Sequence, residues 1–384
     1  MYNHLYSKFI KENPNLKHFA AHSHHYWPDC TYDAQKKYWE DSAKHVDKKW
    51  DYFFGDKIPQ TQKHIAEALD LNHPEQIVFA PNTHEFVFRL LSCLDLSKKQ
   101  RVLTTDSEFH SFNRQIDRLN EMENIEVVKV SLFPFETFQK RFIAEASTSS
   151  FDFIFFSHVF FNTALVIENL EEFVLKLPKE PILTIDGYHG FMAIPTSLKK
   201  IEDRIFYLSG AYKYAQGGEG ACFLYVPKDS QLRPLYTGWF ASFETLEGKE
   251  EENSLVSYSN NGMRFAGSTI DMTAIYRLLS VFEMYQKENL DIKKIHEFVK
   301  QKQIEFLQQI DSLNHSELNR KNLVMSDQDN HGHFLSFKVS NHEICKNIHS
   351  KLLKSSIFTD FRGRYLRFGF GLYSFPFDLQ LVDF

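Results

Sequence analysis

The 384-residue chain carries 44 Lys and Arg against 50 Asp and Glu, a formal net charge of −6, with 43% hydrophobic and 24% charged residues. That length supports one large core plus a smaller one, and the lack of a long basic block argues against nucleic acid as a partner. Cys30, Cys93, Cys222 and Cys345 form no CxxC pair, so neither a zinc knuckle nor a disulfide framework is expected, and ordinary thiols in a reducing compartment fit best.

No apolar leader follows Met1, and the most apolar stretch, Phe151 to Val159, holds Asp152 and His158 and is too short to span a bilayer. The expectation is a cytoplasmic protein with no membrane partner. From about residue 58 to 230, short β-branched or aromatic runs alternate with longer stretches of helical spacing. The runs are Gln76–Ala80, Arg101–Thr105, Glu126–Ser131, Phe151–Ser157, Pro181–Ile185, Arg204–Leu208 and Ala221–Val226. This alternation predicts an α/β fold with a mostly parallel sheet, in which ligands sit at the carboxyl ends of strands.

The segment Gly248–Asn261 reads as an exposed acidic loop. Beyond it, Ile292, Ile295, Phe298, Val299, Phe306, Leu307 and Ile310 follow helical spacing, then strands are expected at His333–Val339 and Tyr365–Phe370 around a helix near His342–Leu353. A large α/β domain over 16–260 and a smaller α+β domain made of 1–15 and 261–384 follow from this pattern.

Three stretches combine into one chemistry. The strand Ile182–Ile185 runs into Asp186-Gly187-Tyr188-His189. The strand Tyr207–Ser209 runs into Ala211-Tyr212-Lys213-Tyr214. Arg367 lies near the C-terminus in Arg364-Tyr365-Leu366-Arg367. A pyridoxal 5′-phosphate (PLP) site needs a lysine amine with a depressed pKa, a carboxylate at the pyridine nitrogen, donors for the phosphate, a covering ring and an arginine fork for a substrate carboxylate. Asp186 and Lys213, at the ends of successive strands, can face one such ring. The cluster His22, His24 and His25 lacks helical HxxxH spacing or paired cysteines, so no metal is expected, and His22 is read as a substrate-side residue.

With these residues in place, the sequence resembles fold-type I PLP enzymes of the class V aminotransferase group, and within it the kynureninase branch. Asp186-Gly187-Tyr188-His189 is similar to the group's Asp-x-Ala-His element, and Tyr212-Lys213-Tyr214 to a Tyr-Lys-Tyr element. The resemblance implies Lys213 as the Schiff-base lysine, Asp186 at the pyridine nitrogen, His189 near the phenolic oxygen, and Tyr212 on phosphate and as a proton relay. Asn82, Thr83 and His84, before a helical pattern, are implied for phosphate, as is Phe109 as the covering ring. Gly267-Ser268-Thr269 resembles the turn by which a neighbouring subunit completes the phosphate site, so Ser268 and Thr269 imply a homodimer. Gly238-Trp239-Phe240 and the Asp360 to Asp378 pattern resemble kynureninases, which implies Trp239 and Arg367 on the substrate.

Several residues depart from the pattern: Tyr188 stands in place of a small alanine, Phe112 in place of an aspartate, and His22, His24 and His25 are not the usual kynureninase residues of the substrate-side segment. The expected function is therefore a PLP enzyme acting on a small amino acid, most like kynureninase with hydrolytic Cβ–Cγ cleavage. The alternatives are a class V aminotransferase, a cysteine desulfurase or lyase, and a catalytically silent PLP-fold binding protein. Desulfuration would need a mobile cysteine before Arg367, and Cys345, the one available, falls in an expected helix.

Overall fold

The computed structural model describes residues 2–245, 255–326 and 330–384, so residues 248–254 of the expected loop lie outside it. The strands are β1 (Lys17–His18), β2 (Ile77–Ala80), β3 (Gln100–Thr105), β4 (Ile125–Val130), β5 (Phe153–Ser157), β6 (Ile182–Asp186), β7 (Ile205–Gly210) and β8 (Cys222–Tyr225). The list continues with β9 (Phe334–Lys338), β10 (Ile357–Phe358), β11 (Asp360–Arg362) and β12 (Tyr365–Gly369). Each of the seven runs expected in the α/β region is a strand.

These seven strands form one sheet in the order β2-β8-β7-β6-β5-β3-β4, in which β8 alone runs antiparallel to its neighbours. Side chains alternate across a strand, and here the period of two sorts them into two cores. Ile77, Phe79, Leu103, Ile154, Phe156, Leu183, Ile185 and Tyr207 pack on one face. Val78, Ala80, Val102, Phe153, Phe155, Phe206 and Leu208 pack on the other, against Phe86 and Leu90 of the helix Thr83–Leu91. Burial on both faces explains why β5 reads as an unbroken apolar run rather than an alternating one. Each fully buried phenylalanine there contributes about 1.5–3 kcal/mol.

The smaller unit is a three-stranded antiparallel sheet, β11-β12-β9, packed against the helices Ile292–Leu313 and His342–Lys354. Asp291 and Asn341 cap those helices by accepting the backbone N–H of Lys294 and Ile344, contacts typically worth about 1 kcal/mol each. Packing crosses the expected domain division at several segments. Leu5, Tyr6 and the stretch from Met272 to Ile295 belong to the core of the large sheet, whereas Phe19 joins the small-domain core. The helix Thr273–Lys287 is apolar around most of its surface, so it docks onto the helix Cys30–His45 and the large domain instead of following the chain into the small one.

Candidate active site

The carboxyl ends of β5, β6 and β7 converge on one cavity of about 240 Å³. Asp186 is the last residue of β6, and its Oδ1 accepts the backbone N–H of Tyr188 at 2.8 Å. This turn, of a kind aspartate readily forms, fixes the carboxylate as the chain leaves the sheet. Burial raises the Asp186 pKa and the Lys213 amine pulls it back down.

Lys213 lies in the turn after β7. Arg277 Nε donates to the Gly217 carbonyl at 2.7 Å and Tyr6 Oη donates to Gln216 Oε1 at 2.5 Å, which pins the loop carrying the lysine. Lys213 Nζ is buried, 2.9 Å from His189 Nε2 and 3.4 Å from His189 Nδ1. His189 Nε2 also lies 3.2 Å from the His22 carbonyl. A carbonyl only accepts, so a proton on Nε2 serves the His22 carbonyl, whereas a bare Nε2 accepts from the amine at 2.9 Å. Burial holds His189 neutral.

The same burial lowers the Lys213 pKa to about 7, with Arg367 pushing further down and Asp186 pulling up. Three rings surround the amine: Tyr188, Phe109 and Tyr212, with centroids 4.8, 5.3 and 5.6 Å from Nζ.

Asn82, Thr83, His84, Phe109, Asp186, His189, Tyr212 and Lys213 all line this cavity. Asn82 caps the helix Thr83–Leu91, its side chain accepting the Glu85 N–H at 3.0 Å, and so aims the N-terminal amides of that helix at the cavity end. Other expected residues lie elsewhere. Ser268 and Thr269 do not line the cavity of this chain, and Trp239, 41% exposed, packs beside Phe240 and Phe243. His22 is buried behind the wall, with Nε2 2.8 Å from Asp360 Oδ1. Phe112 belongs to the core, stacked on Phe155 at 3.7 Å.

Arg367 is also outside the lining. Its Nε and Nη2 donate to Asp360 at 2.9 and 2.5 Å, and its Nη1 donates to the Phe161 carbonyl at 2.7 Å. Arg367 is therefore closed onto an internal carboxylate. Replacing Asp360 with alanine leaves this arginine, 3% exposed, without its ion-pair partner. The expected cost is about 3–5 kcal/mol in urea unfolding. Adding Arg367→Met should restore part of it; a strictly additive double variant would mean the pair does not couple.

Sequence reasoning missed Glu108 and Ser157. Glu108 is buried and accepts from Thr105 Oγ1 at 2.7 Å, from Ser157 Oγ at 2.5 Å and from the Ser157 N–H at 3.2 Å. Ser157 ends β5 opposite Asp186 in register and lines the cavity. Its place at a strand end was the available signal. Cys222, also in the lining, begins β8.

The site fits PLP on its own geometry. Asp186 and Lys213 face one cavity and influence each other's charge without a direct ion pair among the described residues, which leaves room for a ring between them. One oxygen of Asp186 accepts a backbone N–H, and burial favours a cationic N–H partner for the rest of the carboxylate. The helix N-terminus suits a phosphate. Among the described residues no group of three or more His, Cys, Asp or Glu is arranged to hold a metal ion.

The aminotransferase class-V family model matches residues 22–359. Among solved structures, a C-DES mutant with glycine covalently linked to its PLP cofactor superposes with a TM-score of 0.78 at 17% identity, covering 94% of each chain. The cystine C–S lyase C-DES in complex with its product cysteine persulfide gives 0.76 at 16%, again over 94% of each chain. The apo cysteine desulfurase from Thermococcus onnurineus NA1 gives 0.74 at 15%, over 96% of this chain and 94% of that one. No curated protein matches the sequence. The kynureninase branch that the C-terminal pattern suggested finds no support in these likenesses. With the family model spanning most of its length and the fold of PLP enzymes around its buried lysine, the chain belongs to the aminotransferase class-V family and is a PLP-dependent fold-type I enzyme.

Proposed function

We propose that the protein is a PLP-dependent C–S lyase, releasing sulfur from the β-carbon of a small amino acid. The observation that carries this reading is a buried, near-neutral lysine facing Asp186 in a cavity that offers no accessible thiol. Cys222 is the one cysteine in the lining, and Cys345 is buried within the helix His342–Lys354. Burial pushes both thiols up to about 12. A desulfurase that carries sulfur on its own cysteine needs a reachable thiolate. A lyase does not.

When bound, PLP withdraws electrons from the substrate Cα. Lys213 takes the Cα proton, with Tyr212 relaying it and His189 holding the amine. The Cβ–S bond then breaks and sulfur leaves with the bonding pair, protonated to a thiol or persulfide. Water converts the remaining three carbons to pyruvate and ammonia. Asn82, Thr83 and His84 hold the phosphate and Phe109 covers the ring. Trp239 is assigned to the substrate side across a subunit boundary, whereas His22, closed onto Asp360, is not.

Arg367 holds the substrate carboxylate if Asp360 yields to it. Ser268 and Thr269 complete the phosphate site of a partner subunit. Exposed Leu235, Tyr236 and Trp239, beside the Gly267 turn, supply apolar surface for that contact, and the four free thiols agree with a cytoplasmic setting.

Incubation of the PLP-loaded protein with cystine, cysteine, alanine and kynurenine tests the reading. Pyruvate with sulfide or persulfide is expected from a sulfur amino acid. Anthranilate from kynurenine without pyruvate from any substrate would restore the hydrolytic assignment, and pyruvate from alanine only with a keto-acid acceptor would indicate transamination.

A further inference from the structure

Ser157 ends β5 beside Asp186 on the cavity wall, and the buried Glu108 lies behind it. Each hydrogen bond of the Glu108 carboxyl is set by what its partner is able to do. The Ser157 N–H, 3.2 Å from Oε1, can only donate. Thr105 Oγ1, 2.7 Å from the same oxygen, already accepts the Ser107 N–H at 3.2 Å, so its own proton goes to Oε1. Oε1, with these donors on it, is the carbonyl-type oxygen. Oε2 meets the Ser157 hydroxyl at 2.5 Å.

The direction of that last bond depends on whether the carboxyl holds a proton. On an ionised Glu108 the hydroxyl must donate, and Ser157 then offers only lone pairs to the cavity. On a neutral Glu108 the acid proton sits on Oε2, donates to Ser157 Oγ and frees the serine's own proton. That proton has no acceptor among the described residues, and the cavity is where one can arrive. Burial raises the Glu108 pKa to about 8, with Asp186 adding to it and the bonds from Ser157 and Thr105 opposing, so the neutral form prevails near pH 7. Asp186 on β6 is the charged group that faces Glu108. The strands β3 and β5 present the neutral Thr105 and Ser157, and the helix His110–Leu119 adds Asn113 on the Glu108 backbone carbonyl.

We infer that Glu108 is a positioning residue: as the neutral acid it holds the Ser157 hydroxyl as a hydrogen-bond donor for the bound cofactor, beside Asp186. This role rests on the PLP reading and adds to it a donor that Glu108 switches off by losing its proton. Glutamine copies the neutral acid, since its oxygen serves Thr105 and the Ser157 N–H while its amide N–H donates to Ser157 Oγ. Glu108→Gln therefore keeps the donor at every pH, and Ser157→Ala removes it.

The test measures PLP affinity of the apoproteins at pH 7 and pH 9 by fluorescence titration, each variant against wild type so that the shared Lys213 titration cancels. At pH 7 Glu108→Gln should match wild type within about twofold, and Ser157→Ala should bind roughly three- to tenfold more weakly, the worth of one hydrogen bond. At pH 9 the wild type should fall roughly three- to tenfold behind Glu108→Gln and approach Ser157→Ala. Infrared spectra of the wild-type apoprotein should show a protonated-carboxyl band that fades between pH 7 and pH 9 and is missing from Glu108→Gln. Absence of that band would overturn the inference. So would Ser157→Ala as tight as wild type at pH 7, Glu108→Gln as weak as Ser157→Ala, or a wild type that keeps pace with Glu108→Gln at pH 9. A wild type that shows the band but takes up no PLP would instead overturn the cofactor reading.

Discussion

Lys213→Ala protein is expected to be colourless after PLP addition and to turn over at least about 10³-fold more slowly than wild type. The residue supplies both the amine that binds the cofactor and the base that moves the Cα proton, so no neighbour can replace it. His189, the closest group at 2.9 Å, is held neutral by burial and cannot form the same bond. Absorbance of the purified variant checks the first claim and pyruvate formation the second. An unchanged visible spectrum would mean that another lysine binds the cofactor.

The pH dependence of cofactor capture gives a companion test with a defined sign. Burial lowers the Lys213 pKa to about 7, and only the neutral amine attacks an aldehyde. Its neutral fraction therefore rises with pH, from roughly a tenth at pH 6 to nine-tenths at pH 8, while an ordinary lysine stays well under ~1% neutral at pH 8. Uptake of PLP by the apoprotein should climb about tenfold over that interval and then level off. A rate still climbing steadily at pH 10 would show that the amine is not depressed.

The strands and the principal cavity residues could be read from the chain because both depend on local pattern. Buried parallel strands leave apolar runs, and in α/β sheets the polar residue that ends such a run faces the ligand side. Asp186 and Lys213 were found by that rule, and Ser157 could have been. The Arg367 pairing was also encoded, less visibly. Gly363, at φ 57°, turns the chain between β11 and β12 so that Asp360 and Arg367 stand opposite each other. A hairpin centred on Gly363-Arg364 predicts that register, but conversion of the arginine fork from a free clamp to a closed pair depends on His22 and Phe161, brought there by the fold.

Which core a helix covers is hidden for a different reason. The helical spacing of Thr273–Lys287 states that the segment is a helix and not which core it covers. Trp239, Ser268 and Thr269 are exposed on this chain.

Asp186→Asn should retain PLP, since an amide oxygen can still accept the Tyr188 N–H and the phosphate and ring contacts are untouched. Turnover should nevertheless fall on the order of 10²–10³-fold, the usual cost of removing one preorganised charge from a reacting centre. The size of the effect depends on Glu108. Burial raises that carboxyl to about 8, with Asp186 raising it further and the bonds from Ser157 and Thr105 opposing. Near pH 7 Glu108 is therefore mostly neutral in the wild type. Asp186→Asn removes one cause of that rise, so Glu108 ionises more readily there as the pH climbs, and its charge should partly compensate the variant for the lost carboxylate. Its deficit is expected to narrow between pH 7 and pH 9, measured as the ratio of wild-type to variant pyruvate release. In Asp186→Asn/Glu108→Gln that narrowing should vanish. A deficit smaller than about threefold at pH 7 would mean that the carboxylate does not act on the reacting centre at all.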